Sequence, residues 1–109
     1  MFTLIDYLTA DGKDPFKSWL ADLADRQARA RVVIRVQRMV SGNFGDCKVL
    51  TDGVCELRVD YGSGNRVYYA RVAEQLLLLL VGGDKRTQQS DIETGIAYPR
   101  DWKRRACNE

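Results

Sequence analysis

The chain has 109 residues, of which 45% are hydrophobic and 29% charged, a composition that excludes a disordered protein and predicts one globular domain over residues 1–109. Its longest apolar run, Leu76–Val81, is too short to cross a bilayer, and residues 1–14 lack the pattern of a secretory signal, so we expect a cytoplasmic protein without a membrane partner. Because the chain has no histidine and three widely spaced cysteines, we expect neither a metal site nor a cofactor.

The first part of the chain predicts a strand followed by two helices. β-Branched and aromatic residues dominate residues 2–9, which favours a strand. Asp14 before Pro15 is typical of a helix start, and Asp25 can cap a second helix that ends at Gly42. We expect these two closely joined helices to form an antiparallel hairpin. The first helix should bury a stripe formed by Phe16, Trp19, Leu20 and Leu23.

The second helix separates apolar from basic residues. Its predicted apolar face comprises Val32, Val33, Val36, Met39 and Val40. The opposite side carries Arg31, Arg35 and Arg38, within a segment, residues 26–49, that has six basic groups and one acidic group. Such a patch is typical of a local contact with a polyanion, although a charged helix face is often only solvated.

A meander of four strands and a last helix complete the pattern. The strands are predicted at residues 47–50, 54–61, 66–72 and 75–82, and the last is apolar on both faces, as in a central strand covered on both sides. Residues 91–98 predict a short helix that Pro99 ends or kinks. The expected fold is therefore α+β, with an N-terminal strand and a helix hairpin packed on a mostly antiparallel sheet of four to five strands, and a short C-terminal helix.

The strand register determines which side chains share a face. A three-residue loop near residues 62–65 would pair even-numbered positions with each other, whereas a loop of two or four residues would mix charged and apolar residues on both faces. The favoured register places Leu57, Val59, Val67 and Tyr69 on one face. The other face then carries Glu56, Arg58, Asp60, Arg66, Tyr68 and Ala70.

This polar face could simply be exposed to solvent, but we expect the last helix to cover part of it, so that the sheet and the helix form a groove. Lys85 and Arg86 follow the central strand and should lie near the same rim. With Arg58 and Arg66 they would provide the guanidinium and ammonium groups that bind phosphate, and Tyr68 could stack on a base or donate a proton.

The segments "GVCELRVDYGSGNRVYYAR" and "LLLLLVGGDKRTQQSDI" resemble the RelE/ParE superfamily of toxins from bacterial type II toxin–antitoxin modules, in particular the HigB-like branch of addiction module killer proteins. The resemblance covers nearly the whole chain and implies the fold described above. It also implies a metal-independent, ribosome-dependent mRNA endoribonuclease that inhibits translation. The implied partners are the ribosome, mRNA and a cognate antitoxin, which is usually a helix-turn-helix protein. Contact with operator DNA would be made only by the antitoxin.

The resemblance also implies roles for individual residues. Arg66 matches the strand arginine that holds the scissile phosphate, Arg58 matches a position that is often basic, and Lys85 with Arg86 matches the basic position after the last strand. Tyr98 lies roughly where some members have a C-terminal tyrosine or histidine. The chain departs from the family in having no histidine, and Glu56 and Arg58 stand where some members have a lysine pair.

Cleavage by a 2′-hydroxyl requires a base, a cation on the phosphate and an acid for the leaving oxygen. Arginine stays protonated and can only stabilise charge. The candidate bases are therefore Glu56 and Lys85, and the candidate acids are Tyr68 and Tyr98. Alternatively, Glu56 only forms an ion pair with a neighbouring arginine on the sheet.

Three functions remain open from the sequence: an mRNA endoribonuclease toxin, which we favour, a ParE-like inhibitor of DNA gyrase that acts by binding alone, and an inactive prophage-type relic. The arginines of the second helix could contact ribosomal RNA, the antitoxin or only solvent.

Overall fold

The computed structural model of the protein describes residues 1–107 and has the predicted order of elements. The fold is α+β, as expected. Its strands are β1 (Thr3–Asp6), β2 (Cys47–Val49), β3 (Val54–Val59), β4 (Asn65–Ala73) and β5 (Leu76–Gly83). Its helices are α1 (Pro15–Asp22), α2 (Arg26–Arg38) and α3 (Gln88–Cys107), with 3₁₀ turns at Met39–Ser41 and Lys85–Thr87.

The five strands form one mixed sheet in the order β1-β5-β4-β3-β2. β1 runs parallel to β5, and all other neighbours are antiparallel, so the sheet is mostly antiparallel as predicted. β5 lies inside the sheet and β4 at its centre. The first strand is shorter than expected, because the chain turns after a last hydrogen bond from the Tyr7 amide to the Leu79 carbonyl of β5, and the Thr9 amide then bonds to the Lys13 carbonyl.

The register between β3 and β4 has the predicted parity, with Glu56 opposite Tyr68 and Arg58 opposite Arg66. The expected three-residue loop was wrong, since five residues separate the strands. Within this connection, Gly62 and Gly64 adopt left-handed φ angles of 60° and 85°. A loop longer by two residues keeps the same side chains on each face, because side chains alternate with a period of two.

The sheet separates two apolar cores. One core lies on the face of the sheet against which α1 and α2 pack, and it contains Phe16, Val32, Val36, Met39, Leu57, Val59, Val67, Tyr69, Leu77 and Leu79. The other lies under α3 and contains Tyr7, Val54, Tyr68, Ala70, Leu78 and Leu80. β5 therefore supplies side chains to both cores, which explains why its sequence is apolar on both faces.

Both α1 and α2 begin as predicted. The Asp14 side chain accepts a hydrogen bond from the Lys17 amide at 3.0 Å, and Asp25 accepts one from the Gln27 amide at 2.9 Å. These bonds satisfy amides that have no partner within the helix. The second helix and its 3₁₀ turn end at Gly42, whose φ of 85° is left-handed.

Helix α1 packs closely on β5 at Gly82. A Cβ atom at this position would lie 2.1 Å from Cε3 of Trp19 in α1. Glycine therefore allows the indole ring to lie directly on the strand.

The prediction of a short C-terminal helix was wrong, because α3 has 20 residues and continues past Pro99. Tertiary contacts hold the second half of the helix against the end of β1. The Tyr7 hydroxyl donates to Asp101 at 2.6 Å, and Arg105 donates to Asp101 at 2.9 Å and also to the Leu8 carbonyl. Within residues 1–107, no helix is both long and apolar enough to span a membrane.

Candidate functional site

The carboxylate of Glu56 lies at the centre of the polar cluster and is fully buried. Its Oε2 atom accepts hydrogen bonds from the Tyr68 hydroxyl at 3.0 Å and from the Gln88 side-chain amide at 2.9 Å. Its Oε1 atom accepts from Nε of Arg58 at 3.1 Å. The cluster thus joins β3, β4 and the first turn of α3, and the last helix roofs this part of the sheet as expected.

Glu56 is held in its ionised form. Burial alone would raise its pKa, but hydrogen bonds from Gln88, Arg58 and Tyr68 and the charge of Arg66 outweigh burial, so the pKa is lowered. A general base must reach the proton that it abstracts. Both carboxylate oxygens of Glu56 accept hydrogen bonds, and no part of the residue is exposed. The structure therefore contradicts the prediction that Glu56 is an accessible general base.

Arg58 and Arg66 face each other across the β3–β4 pair, on the same side as Glu56. Nε of Arg66 is 3.7 Å from Oε1 of Glu56, and this buried nitrogen has no hydrogen-bond partner within residues 1–107. Like charges directly opposite each other destabilise a sheet. The carboxylate offsets this repulsion and leaves the terminal nitrogens of both guanidinium groups free of hydrogen bonds to the described residues.

These two arginines line a surface cleft of about 280 Å³, which we call the β3–β4 cleft. Lys85 also lines it, so the structure brings together three of the predicted phosphate-binding residues. The rest of the wall consists of Asp46, Val59, Asp60, Gly62, Ser63, Gly64 and Asn65. Three carboxylates balance the charge of the three cations: Asp46 and Asp60 in the wall, and Glu56 beneath it. The cleft therefore has no strong long-range field, and an anion would be held by direct contact with the guanidinium groups.

Tyr68 lies on the predicted face of the sheet, opposite Glu56, but neither it nor Tyr98 is available to RNA in the way that the sequence suggested. Tyr68 is fully buried beneath Glu56 and cannot stack on a base; burial, and then the neighbouring carboxylate, raise the pKa of its hydroxyl. Tyr98 stacks on Tyr7 with ring centres 4.2 Å apart. It is ten residues, or roughly 15 Å, along α3 from the cluster. Arg86 is exposed and pairs with Asp84 at 2.8 Å. It does not line the β3–β4 cleft itself, but it lies at the same rim, as expected, in a neighbouring cavity that shares Ser63 and Lys85 with the cleft.

Arg35 was expected to be available to RNA, but the structure contradicts this expectation. Its guanidinium donates to the main-chain carbonyls of Arg58 at 2.5 Å, Phe44 at 3.1 Å and Asp46 at 3.2 Å. Arg35 therefore attaches α2 to the loop before β2 and to the end of β3. Arg38, by contrast, has an exposed side chain.

Two features of the site were not expected from the sequence. Gln88 reaches Glu56 from the first turn of α3, although the "KRTQQ" stretch gives no periodic signal for this contact. Tyr61, in the β3–β4 connection, donates to the Gln27 side chain at 2.7 Å and supports the guanidinium of Arg31, 4.4 Å from its ring centre. Both are long-range contacts, for which a single sequence has no local signature.

No protein-family model matches the chain. An uncharacterized protein of Haemophilus influenzae (strain ATCC 51907 / DSM 11121 / KW20 / Rd) is 47% identical to it over 78 residues, which are 72% of this chain and 79% of that protein. The chain belongs to the same family as this H. influenzae protein. Because that protein is uncharacterized, the similarity assigns no chemistry to the site.

That geometry provides two guanidinium groups with free donors, an exposed ammonium group and a glycine-containing loop around one small cleft. Guanidinium groups form paired hydrogen bonds with phosphate oxygens, and a lysine adds a point charge or a proton. The arrangement can therefore hold a phosphodiester and stabilise additional negative charge on it.

Proposed function

We propose that the protein is the toxin of a type II toxin–antitoxin module of the RelE/ParE superfamily, HigB-like branch, and that it acts as a ribosome-dependent mRNA endoribonuclease. The opposed pair Arg58–Arg66, supported from below by Glu56 and open to a cleft that Lys85 also lines, is the observation that carries the proposal. The sequence resemblance supports the choice of mRNA among phosphate-containing ligands.

In the proposed reaction, a ribose 2′-oxygen attacks the adjacent phosphorus atom as the bond to the 5′-oxygen breaks, giving a cyclic phosphate and a free 5′-hydroxyl. Negative charge grows on the equatorial phosphate oxygens, where Arg58 and Arg66 stabilise it. Lys85 is exposed at the cleft and, as an ammonium group, donates a proton to the departing 5′-oxygen. The proton of the 2′-hydroxyl passes to a base that the ribosome or solvent supplies.

Within this proposal Glu56 positions the arginines and does not take the proton. Its lowered pKa keeps it charged near neutral pH, and its two oxygens hold groups from three elements of the fold. Without this carboxylate the two guanidinium groups would repel each other across the strands.

The partners follow from the same proposal. The protein works in the bacterial cytoplasm on mRNA bound to the ribosome, without a cofactor, and a cognate antitoxin of the helix-turn-helix type neutralises it and links it to operator DNA. A gyrase inhibitor is the main competing function, because that activity requires binding without a cleavage site.

The test is induced expression in a bacterial host, with growth and primer extension on a reporter mRNA measured together. The variants are Arg66→Ala and, as a matched control, Lys103→Ala, which removes one positive charge from an exposed position of α3. We expect growth arrest and new mRNA ends for the wild type and the control, and neither for Arg66→Ala.

The other outcomes each contradict the proposal. Arrest without new mRNA ends, together with a DNA-damage response, would indicate gyrase inhibition. Arrest with new ends that persist in Arg66→Ala would place cleavage elsewhere. Absence of arrest under strong expression would indicate an inactive relic.

A further inference from the structure

A second cleft, of about 390 Å³, lies beside the β3–β4 cleft on the surface of α2. Arg31, Ile34, Arg35 and Arg38 of α2 line it, and we call it the α2 cleft. Its remaining wall is formed by Val59 and Asp60, which also line the β3–β4 cleft. The two clefts therefore meet at the end of β3.

The α2 cleft combines cationic, planar and apolar groups. Arg31 and Arg38 are exposed, and neither forms an ion pair with any residue in 1–107. The guanidinium plane of Arg31 is supported by the Tyr61 ring. Between the two arginines on the helix, Ile34 is 46% exposed, which is unusual for a large aliphatic side chain on a charged face.

Such a combination is typical of surfaces that bind single-stranded nucleic acid, where cations follow the backbone and flat or apolar groups support the bases. An acidic peptide could also contact two arginines. Continuity with the β3–β4 cleft favours RNA, because a strand whose phosphate is held by Arg58 and Arg66 must leave that cleft along one of its open sides.

We infer that the α2 cleft is a second subsite for single-stranded RNA, occupied by nucleotides next to the one held in the β3–β4 cleft. This inference rests on the proposed function, since it assumes that RNA is bound there. Arg31 and Arg38 contact phosphates, and a base packs against Ile34 and the Arg31–Tyr61 stack. Asp60 lies between the two subsites and repels the backbone that passes it. Arg35 lines the cleft but its donors are engaged by main-chain carbonyls.

The test is fluorescence anisotropy of the purified protein with fluorescein-labelled 2′-O-methyl oligouridines, which cannot be cleaved through the 2′-oxygen. One oligonucleotide has about four nucleotides and fits a single cleft, and the other has about twelve and can reach both. Arg38→Ala should weaken binding of the long oligonucleotide and leave the short one unchanged. The slope of log K against log salt should become shallower by about 0.7 for each phosphate that the variant no longer neutralises.

Four further variants make the design specific, and one of them, Arg31→Ala, acts on the same subsite as Arg38→Ala. Arg66→Ala should weaken both oligonucleotides, because it acts on the first subsite. Asp60→Asn should strengthen the long one, and the control Lys103→Ala should change neither. If Arg38→Ala and Arg31→Ala leave the long oligonucleotide unaffected, the inference is overturned.

The design also separates the inference from the proposed function. If Arg38→Ala weakens long RNA but Arg66→Ala weakens neither, the α2 cleft binds RNA without a neighbouring nucleotide in the β3–β4 cleft, and both the proposed cleavage site and the inference of an adjacent subsite fail. If Arg66→Ala weakens both oligonucleotides and neither Arg31→Ala nor Arg38→Ala has an effect, the proposed site stands and only the inference fails. If a decaglutamate peptide binds in an Arg38-dependent manner and RNA does not, the cleft is a peptide site and the inference fails. Absence of RNA binding by the wild type overturns both.

Discussion

Replacing Glu56 with alanine would leave several buried or half-buried donors without their acceptor. The Tyr68 hydroxyl, which is fully buried, would lose its partner, at a cost of about 1–3 kcal/mol. Arg58 and Arg66 would face each other without the intervening carboxylate, although Arg58, whose side chain is 41% exposed, is screened by water and adds little. Removing one partner of a buried ionic cluster costs about 3–5 kcal/mol, and we expect a loss in this range.

The assay is urea unfolding followed by the fluorescence of Trp19 and Trp102. The matched control is Glu93→Ala, which removes an exposed carboxylate from α3 and should change the free energy of unfolding by less than about 0.5 kcal/mol. The expected loss corresponds to a melting temperature lower by roughly 10–20 °C for a domain of this size. A loss below about 1 kcal/mol for Glu56→Ala would refute the view that Glu56 is a buried carboxylate with both oxygens engaged.

The same residue predicts a dependence of stability on pH. The pKa of Glu56 in the folded protein lies below the ordinary value of 4.5. Its contribution to stability is therefore present above pH 4.5 and is lost as the pH falls through the folded-state pKa. In Glu56→Gln this part of the acid-induced loss should be absent, which urea titrations between about pH 3 and 6 would measure.

Three further changes have outcomes that unfolding experiments can check. Burial, and then the nearby Asp14, raise the pKa of Asp6 to about 6, so the protein loses stability as the pH rises from 3.8 towards 6 and this carboxyl ionises. The variant Asp6→Asn should therefore be more stable than the wild type by about 1–3 kcal/mol at pH 7, and equal stability would contradict this. Gly82→Ala places a methyl group against the Trp19 ring and should cost about 1–3 kcal/mol, with a changed near-ultraviolet circular dichroism spectrum. Arg35→Ala removes the side-chain donor from three carbonyls, of which the Asp46 carbonyl keeps a hydrogen bond from the Arg58 amide. The loss should cost about 1–3 kcal/mol, so an unchanged urea midpoint would argue against the structural role of Arg35.

Much of the fold was predictable because local rules and the register agreed. The Asp14 and Asp25 caps, the apolar face of α2 and the parity of the β3–β4 pair were all confirmed. Parity was the most informative prediction, because it placed Glu56 and Arg66 on one face from the alternation of side chains alone. The meeting of these two residues across the strands then followed from the pairing of β3 with β4.

The errors arose where a long-range contact overrides a local signal. A proline normally ends or kinks a helix, but Tyr7 contacts Tyr98 before Pro99 and Asp101 after it, and these contacts hold the helix together on both sides of the proline. Arg35 was predicted to belong to a charged surface, and its three carbonyl acceptors come from segments that the sequence alone does not bring close. The burial of Glu56 was missed for the same reason, since Gln88 covers it from an element 32 positions away.

The parallel pairing of β1 with β5 has a consequence for folding. Thr3 aligns with Leu76, whereas β3, β4 and β5 join through short hairpins, so β1 is the strand with the most costly loop closure. We expect the three-stranded meander to form first and β1 to add late, which leaves one edge of the apolar Leu76–Val81 run unpaired until then. Pulsed hydrogen exchange during refolding would show this as amides of β4 protected before those of β1. The strand that is synthesised first would thus complete the sheet last.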